Sequence, residues 1–556
     1  MSRRLRNLLW ASAVFLGACL PTIWIFQVAV RRPSVLMGPT STDPYFNLYV
    51  LEWGARHWER GFSGFWSAPF FYPTSWATTL SDHLLLPSAL YRGLQALGAA
   101  PALGYNVLLL LSFSVTAVSV FLLLRRASRA PDFVCACASI LVVFAPWRLG
   151  QLTHLQMLWA PGPPLLFLAV DAFFRAPCTR RASSVIATLG LTLLSGCYLA
   201  YFSVLISCVI GAFYIVRSRG RARLLRRTRP TIALSVAGIV LLVAVFAPYW
   251  FARQELGTQR SPKDFGMYGA QGRDWLAPST LNAYSSIFPP DWMRPERDLF
   301  PGWTLTCGLT LFLVLWASRR AQKKAPALAS CLIWGAAAFS VLEFPFAYEA
   351  LSKVIPGLDG MRVPTRVHFF VLLGMSVAGA RAVGALLSTS KHRWQRSAVA
   401  VVFLASSAAD LSLRALPPEV YFSPERPDQM PRYVTLLRDS DVGALAVFPL
   451  QGTQEDIPRM WRGLVHGKPI ANGYSGYLSE SFRYLKWSCK FPSRRIGSRC
   501  VGAMRDLMLT HFVVEAASSA AMDIEARVAS IVKPGTQGVN LVYYDAEIVA
   551  FSLLDN

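Results

Sequence analysis

The chain of 556 residues is 54% hydrophobic and only 15% charged, and its mean hydropathy of +0.38 exceeds that of soluble globular proteins. Its formal net charge of +24 would suit a nucleic-acid partner, but the Lys and Arg residues punctuate apolar runs instead of gathering in one soluble segment. We therefore exclude nucleic acid as a partner and predict a protein embedded among membrane lipids.

The N-terminal segment resembles a signal peptide, with the basic start MSRRLR followed by an apolar stretch. That stretch continues through Pro21 to Val30, which is long enough to cross a bilayer, and no convincing small-residue cleavage site ends it. We predict an uncleaved first span at residues 8–30.

Apolar segments of spanning length recur along the chain. They lie near residues 8–30, 102–124, 133–147, 156–174, 184–197, 199–216, 231–250, 303–318, 326–342, 367–387 and 397–413. With the N-terminus inside, these eleven segments place the basic stretches 125–129, 175–181, 217–229, 319–324 and 391–396 in the cytoplasm. Because this agrees with the positive-inside rule, the sequence predicts an all-α polytopic domain over residues 1–413 in an inner membrane.

The segment 83–97 is apolar but short, and it contains Pro87 and Arg92. Counting it as a span would reverse the side of every later loop and break the charge rule. We therefore predict a re-entrant or juxtamembrane helix on the outer side, packed against protein.

Three outer segments are long, at residues 31–101, 251–302 and 414–556. The last is predicted to be a periplasmic α/β domain, with a helix in MPRYVTLLRDS, strands in DVGALAVFPL and HFVVEA, and a hairpin in NLVYYDAEIVAFSLL. An oxidising periplasm would permit a disulfide between Cys489 and Cys500, although spacing alone leaves both the bonded and the free state open.

Asp43 is the focal acid of the first outer loop, in a Thr-Asp-Pro turn before an amphipathic helix. A carboxylate there can take the proton from an acceptor hydroxyl or amine as the anomeric carbon is attacked. This is the general-base role of a one-step inverting transfer. The alternative is that Asp43 only N-caps a helix beginning at Pro44.

Asp82 and His83 end the same loop. A second acid or an imidazole there would bind a donor phosphate or assist proton transfer. The alternative is a helix N-cap at Ser81 or Asp82 before the short segment 83–97.

Four further residues are candidates for binding a lipid phosphate, because Arg gives bidentate contacts to such a group. Arg148 and His154 fall in a short outer turn, where an interfacial anchor beside Trp147 is the alternative. Arg362 and Arg366, in MRVPTRVH, bring positive charge to the outer side against the topology rule. For that pair the alternative is snorkelling, or pairing with Asp359.

The first loop, with its Thr-Asp-Pro turn and amphipathic helix, resembles that of the GT-C superfamily of polyprenyl-phosphate-dependent glycosyltransferases. Other stretches resemble a group of uncharacterised bacterial members. They read FFYPTSWATTLSDHLLLP at 70–87, GYNVLLLLSF at 104–113, FAPWRLGQLTHLQML at 144–158, PGLDGMRVPTRVHFFVLLG at 356–374 and KPIANGYSGY at 468–477. The resemblance covers most of the chain and implies a GT-C-like membrane fold. In that superfamily the first-loop acid is catalytic, and Asp43 matches it.

Several motifs are absent from the sequence. It has no Gly-rich phosphate loop ending in Lys-Ser/Thr, no His-Glu-x-x-His and no metal-spaced Cys or His cluster, which argues against a nucleotide-driven pump. Some GT-C members hold a divalent metal with acids, but the first loop lacks the supporting Asp-x-Asp or Glu pattern. We predict no cofactor and no tightly bound metal.

These residues and the resemblance predict a transferase that moves a sugar from a polyprenyl-phosphate donor to a glycan, lipid or protein acceptor outside the cytoplasm. A non-catalytic lipid-linked glycan transporter or membrane assembly scaffold is the rival interpretation. A transporter should carry ionisable residues at mid-membrane, whereas Asp171 and Asp410 lie near the ends of their segments.

Overall fold

The computed structural model describes residues 2–37, 42–217, 232–318, 326–426, 429–490, 495–515, 524–545 and 548–553. The predicted basic stretch 319–324, and the stretch 217–229 apart from its first residue, lie outside the described residues. Their predicted cytoplasmic side therefore stays a prediction.

The described residues up to 410 form helices joined by loops and short 3-10 turns. The helices are α1 (Arg3–Ile25), α2 (Gln27–Arg31), α3 (Thr42–Arg60), α4 (Leu85–Ala96), α5 (Pro101–Ala127), α6 (Asp132–Val143), α7 (Pro146–Gly150), α8 (Leu155–Leu158), α9 (Gly162–Arg175), α10 (Thr179–Leu193), α11 (Cys197–Arg217), α12 (Ile232–Leu256), α13 (Pro262–Tyr268), α14 (Trp303–Ala317), α15 (Ala327–Leu342), α16 (Pro345–Ser352), α17 (His368–Thr389) and α18 (Arg393–Asp410). Among the described residues, each of the eleven predicted apolar segments is mostly helical, with breaks that include residues 144–145, 159–161 and 194–196.

Seven helical stretches among the described residues are long and apolar enough to cross a membrane. They are Leu5–Ile25, Pro101–Ala127, Asp132–Gly150, Leu155–Arg175, Cys197–Arg217, Leu234–Leu256 and Pro364–Thr389. Helices α15 and α16, bent by 99° at their junction, would add an eighth. The chain is therefore a multi-pass membrane protein, while the count of eleven spans stays a prediction.

Close helix packing in the bundle relies on glycine where two helices touch. A Cβ atom at Gly308 of α14 would lie 2.9 Å from the Cα of Gly379 on α17. A Cβ at Gly374 would lie 2.4 Å from the carbonyl oxygen of Leu332 on α15. Because no side chain fits at these positions, α17 packs backbone to backbone against both neighbours.

The short apolar segment 83–97 contains α4, a helix of 12 residues. At 1.5 Å per residue it is about 18 Å long, too short to cross a hydrocarbon core of about 30 Å. It packs against α3 and α5, and the Trp58 indole N–H donates to the Leu85 carbonyl at 3.0 Å. The predicted short helix packed on protein is confirmed, and its side of the membrane stays a prediction.

The C-terminal part folds as a small α/β unit. Its elements are α19 (Arg432–Asp439), β1 (Leu445–Phe448), α20 (Ile457–His466), α21 (Glu480–Cys489), α22 (Ser498–Asp506), β2 (His511–Glu515), α23 (Ile524–Ile531), β3 (Val539–Tyr544) and β4 (Ile548–Leu553). The sheet order is β1-β2-β4-β3, with β1 parallel to β2 and the other pairs antiparallel. The predicted helix, strands and hairpin are confirmed, and Cys489 and Cys500 form a disulfide.

Residues 469–472, named here the docking strand, join this unit to the first outer loop. On one side, Leu445 of β1 donates its N–H to the Pro469 carbonyl at 3.0 Å and accepts from the Ala471 N–H at 2.8 Å. On the other side, the Ile470 N–H donates to the Pro69 carbonyl, and the Tyr72 N–H returns to the Ile470 carbonyl, each at 3.0 Å. The first outer loop therefore continues the C-terminal sheet beyond β1.

Candidate functional site

A cavity of about 750 Å³ lies where the first outer loop, α11, α12 and the residues after the docking strand meet. One wall is apolar and is contributed by Val204 and Leu205 of α11 with Leu242, Val243 and Phe246 of α12. The polar lining is contributed by the side chains of Asp43, His154, Arg260, Arg362, Arg366 and Tyr474. The cavity therefore combines charged side chains with apolar ones.

The carboxylate of Asp43 faces this cavity. Helix α3 begins at Thr42, so Asp43 lies in its first turn and not at an N-cap before Pro44. One carboxylate oxygen, Oδ1, accepts a hydrogen bond from the Tyr474 hydroxyl at 2.9 Å, and Oδ2 lies 3.4 Å from His154 Nε2. Burial raises the pKa of Asp43, but the contacts to His154 and Tyr474 outweigh it and hold this pKa below its usual range.

His154 stands between two carboxylates, as its Nε2 also lies 3.7 Å from Oε1 of Glu296. The same Glu296 oxygen accepts from Arg366 Nη2 at 2.8 Å, and Oε2 accepts from Gln151 Nε2 at 3.0 Å. Burial raises the pKa of Glu296, but Arg366 and His154 lower it more strongly, to about 2. Asp43, His154, Glu296 and Arg366 thus form one chain of polar contacts.

Sequence reasoning missed Glu296, which lies in a short 3-10 turn of the second long outer segment. Its only signal was an acid between Pro295 and Arg297 in a segment already predicted to be outside. Nothing in that pattern indicates that the turn folds back over α7 and reaches His154.

The two arginines of MRVPTRVH have different surroundings. Arg366 is paired with Glu296, whereas Arg362 lies over the Tyr268 ring at 4.8 Å with its side chain directed to the cavity. The alternative that Arg362 or Arg366 pairs with Asp359 is wrong, because the Asp359 carboxylate accepts from Arg253 instead, at 2.8 Å. Of the two arginines, Arg362 is therefore the one that faces the cavity with no carboxylate of the described residues bound to it.

Arg260 is a second cavity arginine and was not a candidate from the sequence. Its guanidinium lies 3.2 Å from the centre of the Tyr477 ring, and Nη1 donates to the Gly476 carbonyl at 2.9 Å. A Cβ at Gly476 would lie 3.2 Å from Arg260 Nη2 and 4.0 Å from Arg362 Nη1. The two guanidinium groups therefore converge over Gly476, and burial lowers the pKa of Arg260.

Asp82 lines the cavity but is engaged at the start of α11. Its buried carboxylate accepts the backbone N–H of Cys197, and burial raises its pKa. It caps a helix more than a hundred residues away in sequence instead of the segment 83–97 that follows it. Asp82 thus sets the position of α11 relative to the first loop.

His83 is fully buried beside the rings of Trp66 and Tyr249. Its Nδ1 accepts from the Leu85 N–H at 3.2 Å, and burial lowers its pKa to about 4, so the ring is neutral at pH 7. The structure therefore places His83 behind the cavity wall, and its catalytic role stays a prediction that this placement does not favour.

Arg148 is also fully buried. Its guanidinium donates to the carbonyls of Val143, Met157 and Leu158 at 3.2, 3.3 and 2.9 Å. Since these carbonyls use its donors inside the bundle, the placement speaks against the predicted contact with a lipid phosphate. Arg148 instead holds the turn that presents His154.

No group of three or more His, Cys, Asp or Glu side chains in the described ranges is arranged to hold a metal ion. Asp43 and Glu296 flank His154, but Arg366 and Gln151 already occupy the Glu296 oxygens. The residues present therefore do not fit a divalent-cation site.

Comparison with known proteins gives no sequence match, either to a family or to a curated protein. The structure is similar to the apo oligosaccharyltransferase of Archaeoglobus fulgidus, with a TM-score of 0.48 and 11% identity over 91% of this chain and 69% of that one. It is also similar to ArnT from Cupriavidus metallidurans bound to undecaprenyl phosphate, with a TM-score of 0.40 and 12% identity over 99% and 98%. With TM-scores below 0.5, these likenesses carry no argument about function.

We expect Glu296→Gln to lower the free energy of unfolding at neutral pH and to weaken its acid dependence. The pKa of Glu296 falls from 4.5 to about 2 on folding. Its carboxylate therefore stabilises the fold above about pH 4.5, and this contribution is lost as the pH falls towards 2. The expected loss at pH 7 is about 1–3 kcal/mol.

Thermal unfolding in nanodiscs between pH 7 and pH 3 measures this, with Glu419→Gln, an exposed carboxylate, as the control. The difference in stability between Glu296→Gln and wild type should narrow below pH 4.5. A difference of constant size at every pH would contradict the low pKa of Glu296.

Proposed function

We propose that this chain is an inverting membrane glycosyltransferase that moves a sugar from a polyprenyl-phosphate donor to a glycan, lipid or protein acceptor outside the cytoplasm. The observation that carries the proposal is the composition of one cavity. It joins an ionised carboxylate, Asp43, and two converging guanidinium groups, Arg260 and Arg362, to an apolar channel between α11 and α12. A lipid-linked sugar phosphate needs all three environments.

In this proposal the lipid chain lies along Val204, Leu242 and Phe246, where α12 is open to the bilayer, since Val243 is 59% exposed. The phosphate meets Arg260 and Arg362, and the sugar lies towards Asp43. Arg362 and Arg260 take the place of the Arg362 and Arg366 pair predicted from the sequence, because Glu296 binds Arg366.

The chemistry follows from that placement. An acceptor hydroxyl or amine attacks the anomeric carbon while Asp43 takes its proton. The bond from the anomeric carbon to the phosphate oxygen breaks, and its electron pair leaves with the phosphate. The guanidinium groups of Arg260 and Arg362 stabilise the charge that develops there. Because its pKa is low, Asp43 is already ionised at neutral pH.

The rival transporter interpretation needs ionisable residues free to act inside the membrane. Asp171 is bound by Arg126 and Arg175, at 3.0 and 2.9 Å. Asp410 accepts the backbone N–H groups of Trp303 and Thr304, each at 2.8 Å, at the start of α14. Both carboxylates thus have structural partners and are not free to act as coupling groups. Their engagement supports the transferase over the transporter.

We further propose eleven spans, a bacterial inner-membrane location and a periplasmic side for residues 414–556. The disulfide Cys489–Cys500 supports an oxidising compartment for that part. Exposed tryptophans at the cavity-side helix ends, Trp24, Trp250 and Trp303, and at the opposite ends, Trp316 and Trp394, fit two membrane interfaces.

Alkaline phosphatase fusions test the proposed side, because this enzyme is active only after export. We expect activity when it is fused after residue 553 and inactivity when it is fused after residue 390, between α17 and α18. Activity of the second fusion, or inactivity of the first with the protein in the membrane, would reverse the topology.

Asp43→Asn tests the general base with an isosteric side chain. Purified protein in nanodiscs is offered polyprenyl-phosphate sugars and acceptors extracted from its host, and mass spectrometry follows donor consumption. We expect the rate to fall by at least about 100-fold, because general-base catalysis typically contributes that much.

The matched control is Asp291→Asn, an exposed acid in the second outer segment whose side chain is 69% exposed. Equal consumption by wild type and Asp43→Asn would remove Asp43 as the base and return attention to Asp82 and His83. If wild type consumes no donor, the transporter or scaffold interpretation takes precedence.

Arg362→Gln tests the phosphate site. The variant loses one charged hydrogen bond to the phosphate. The KM for the lipid-linked sugar should therefore rise about 10-fold or more, with a smaller change in affinity for the acceptor. Arg483→Gln, an exposed arginine of α21, serves as the control. Steady-state kinetics with varied concentrations of the sugar donor measure the KM of both variants. An unchanged donor KM in Arg362→Gln would contradict the assignment of Arg362 to the phosphate site.

A further inference from the structure

Tyr474 is a cavity residue that the C-terminal unit brings to the first loop. Its hydroxyl donates to Oδ1 of Asp43 at 2.9 Å, across 431 residues of sequence. The ring packs edge-on against Phe46, one turn after Asp43 on α3, with centroids 5.5 Å apart. Burial and the neighbouring Asp43 raise the pKa of Tyr474, so the phenol stays protonated and acts as a donor.

The position of Tyr474 is fixed from its N-terminal side. Asn472, the last residue of the docking strand, accepts from the Val447 N–H and donates to the Val447 carbonyl, each at 2.7 Å. The next residue, Gly473, passes so close to Phe71 that a Cβ there would lie 2.5 Å from the ring. These contacts fix the direction in which the chain enters the cavity at Tyr474.

The chain is fixed on the other side of Tyr474 as well. The Ser475 hydroxyl donates to the Leu80 carbonyl at 2.6 Å, and the Tyr477 hydroxyl donates to the Thr258 carbonyl at 2.7 Å. The backbone N–H of Tyr474 itself meets the Met460 sulfur at 3.2 Å. The phenol is therefore held by two outer loops and the sheet, and not by its contact with Asp43 alone.

The carboxylate of Asp43 still has room for a reacting group. Its side chain is 30% exposed, Tyr474 contacts Oδ1 and His154 contacts Oδ2, and the charge of Arg366 also acts on it. The phenol therefore fixes the rotation of the carboxylate and leaves open the side that faces the cavity.

We propose that Tyr474 is a positioning residue for the transfer reaction, delivered by the C-terminal unit, whose hydroxyl fixes Oδ1 of Asp43 so that Oδ2 is presented to the acceptor. The inference rests on the proposed role of Asp43 as base. It makes the C-terminal unit part of the active site, since the base is oriented only when the docking strand is paired.

Tyr474→Phe keeps the ring against Phe46 and removes only the hydroxyl. Without that hydrogen bond the carboxylate of Asp43 is less favoured, so the acid limb of the pH–rate profile should move up by about one pH unit. The kcat should fall most at low pH and recover as the pH rises, with the donor KM within about twofold of wild type.

Tyr484→Phe is the control, because it removes an exposed phenol of the same unit that donates to Asp506. An unshifted acid limb in Tyr474→Phe, or a kcat lowered equally at every pH, would overturn the proposal, since loosened packing alone produces the second pattern.

A second measurement does not depend on activity. Protein labelled with ¹³C at aspartate carboxyls is titrated in nanodiscs, and the Asp43 signal is assigned by its loss in Asp43→Asn. The midpoint of that signal should be higher in Tyr474→Phe than in wild type and unchanged in Tyr484→Phe. Equal midpoints in all three would overturn the inference.

The two experiments separate the possible failures. If wild type transfers no sugar but the Asp43 midpoint still rises in Tyr474→Phe, the proposed function has failed while the orientation of Asp43 by Tyr474 stands. If wild type transfers sugar and neither the midpoint nor the acid limb moves, the inference has failed and the proposed function stands.

Discussion

The backbone pairing of the docking strand is the constraint on which the rest of the site depends. It places residues 469–472 between β1 and the first outer loop, so one sheet-like layer crosses from the C-terminal unit to the loop that carries Asp43. Backbone hydrogen bonds alone would allow a shift in register. The register is set by Asn472, which is bonded to both backbone groups of Val447, and by the glycine after it, which no larger residue can replace against Phe71.

The charges in the cavity follow from that arrangement. Asp43 lies against His154, and Glu296, which stands behind His154, is paired with Arg366, so both carboxylates have cationic or imidazole neighbours. In the described parts of the chain no ion pair joins Arg260 or Arg362 to a carboxylate, and aromatic rings stack on both guanidinium groups. Because positive charge held in a half-buried position without a counter-ion is unfavourable, these two arginines support the anionic ligand of the proposed function.

The sequence predicted the helices well because apolar length is a local property, and the strands of the C-terminal unit because short apolar runs rich in Val and aromatic residues are local too. It predicted Asp43, His154 and Arg362 for the cavity but placed His83 and Arg148 there as well, since a loop pattern does not tell which way a side chain turns. Glu296, Arg260 and Tyr474 could not be predicted, because contacts with parts of the chain far away in sequence bring Arg260 and Tyr474 to the cavity and Glu296 to His154.

The first outer loop also sets the distance between the two halves of the cavity. Its residues 69–72 hold the docking strand, and ten residues later Asp82 accepts the N–H of Cys197 at the start of α11. The backbone donors and the dipole of the helix N-terminus recover part of the desolvation cost of this carboxylate, although burial still raises its pKa. Helix α11 carries two of the apolar residues that line the cavity, so Asp82 fixes them relative to Asp43. The distance between these apolar side chains and the Asp43 carboxylate is thus set within one loop.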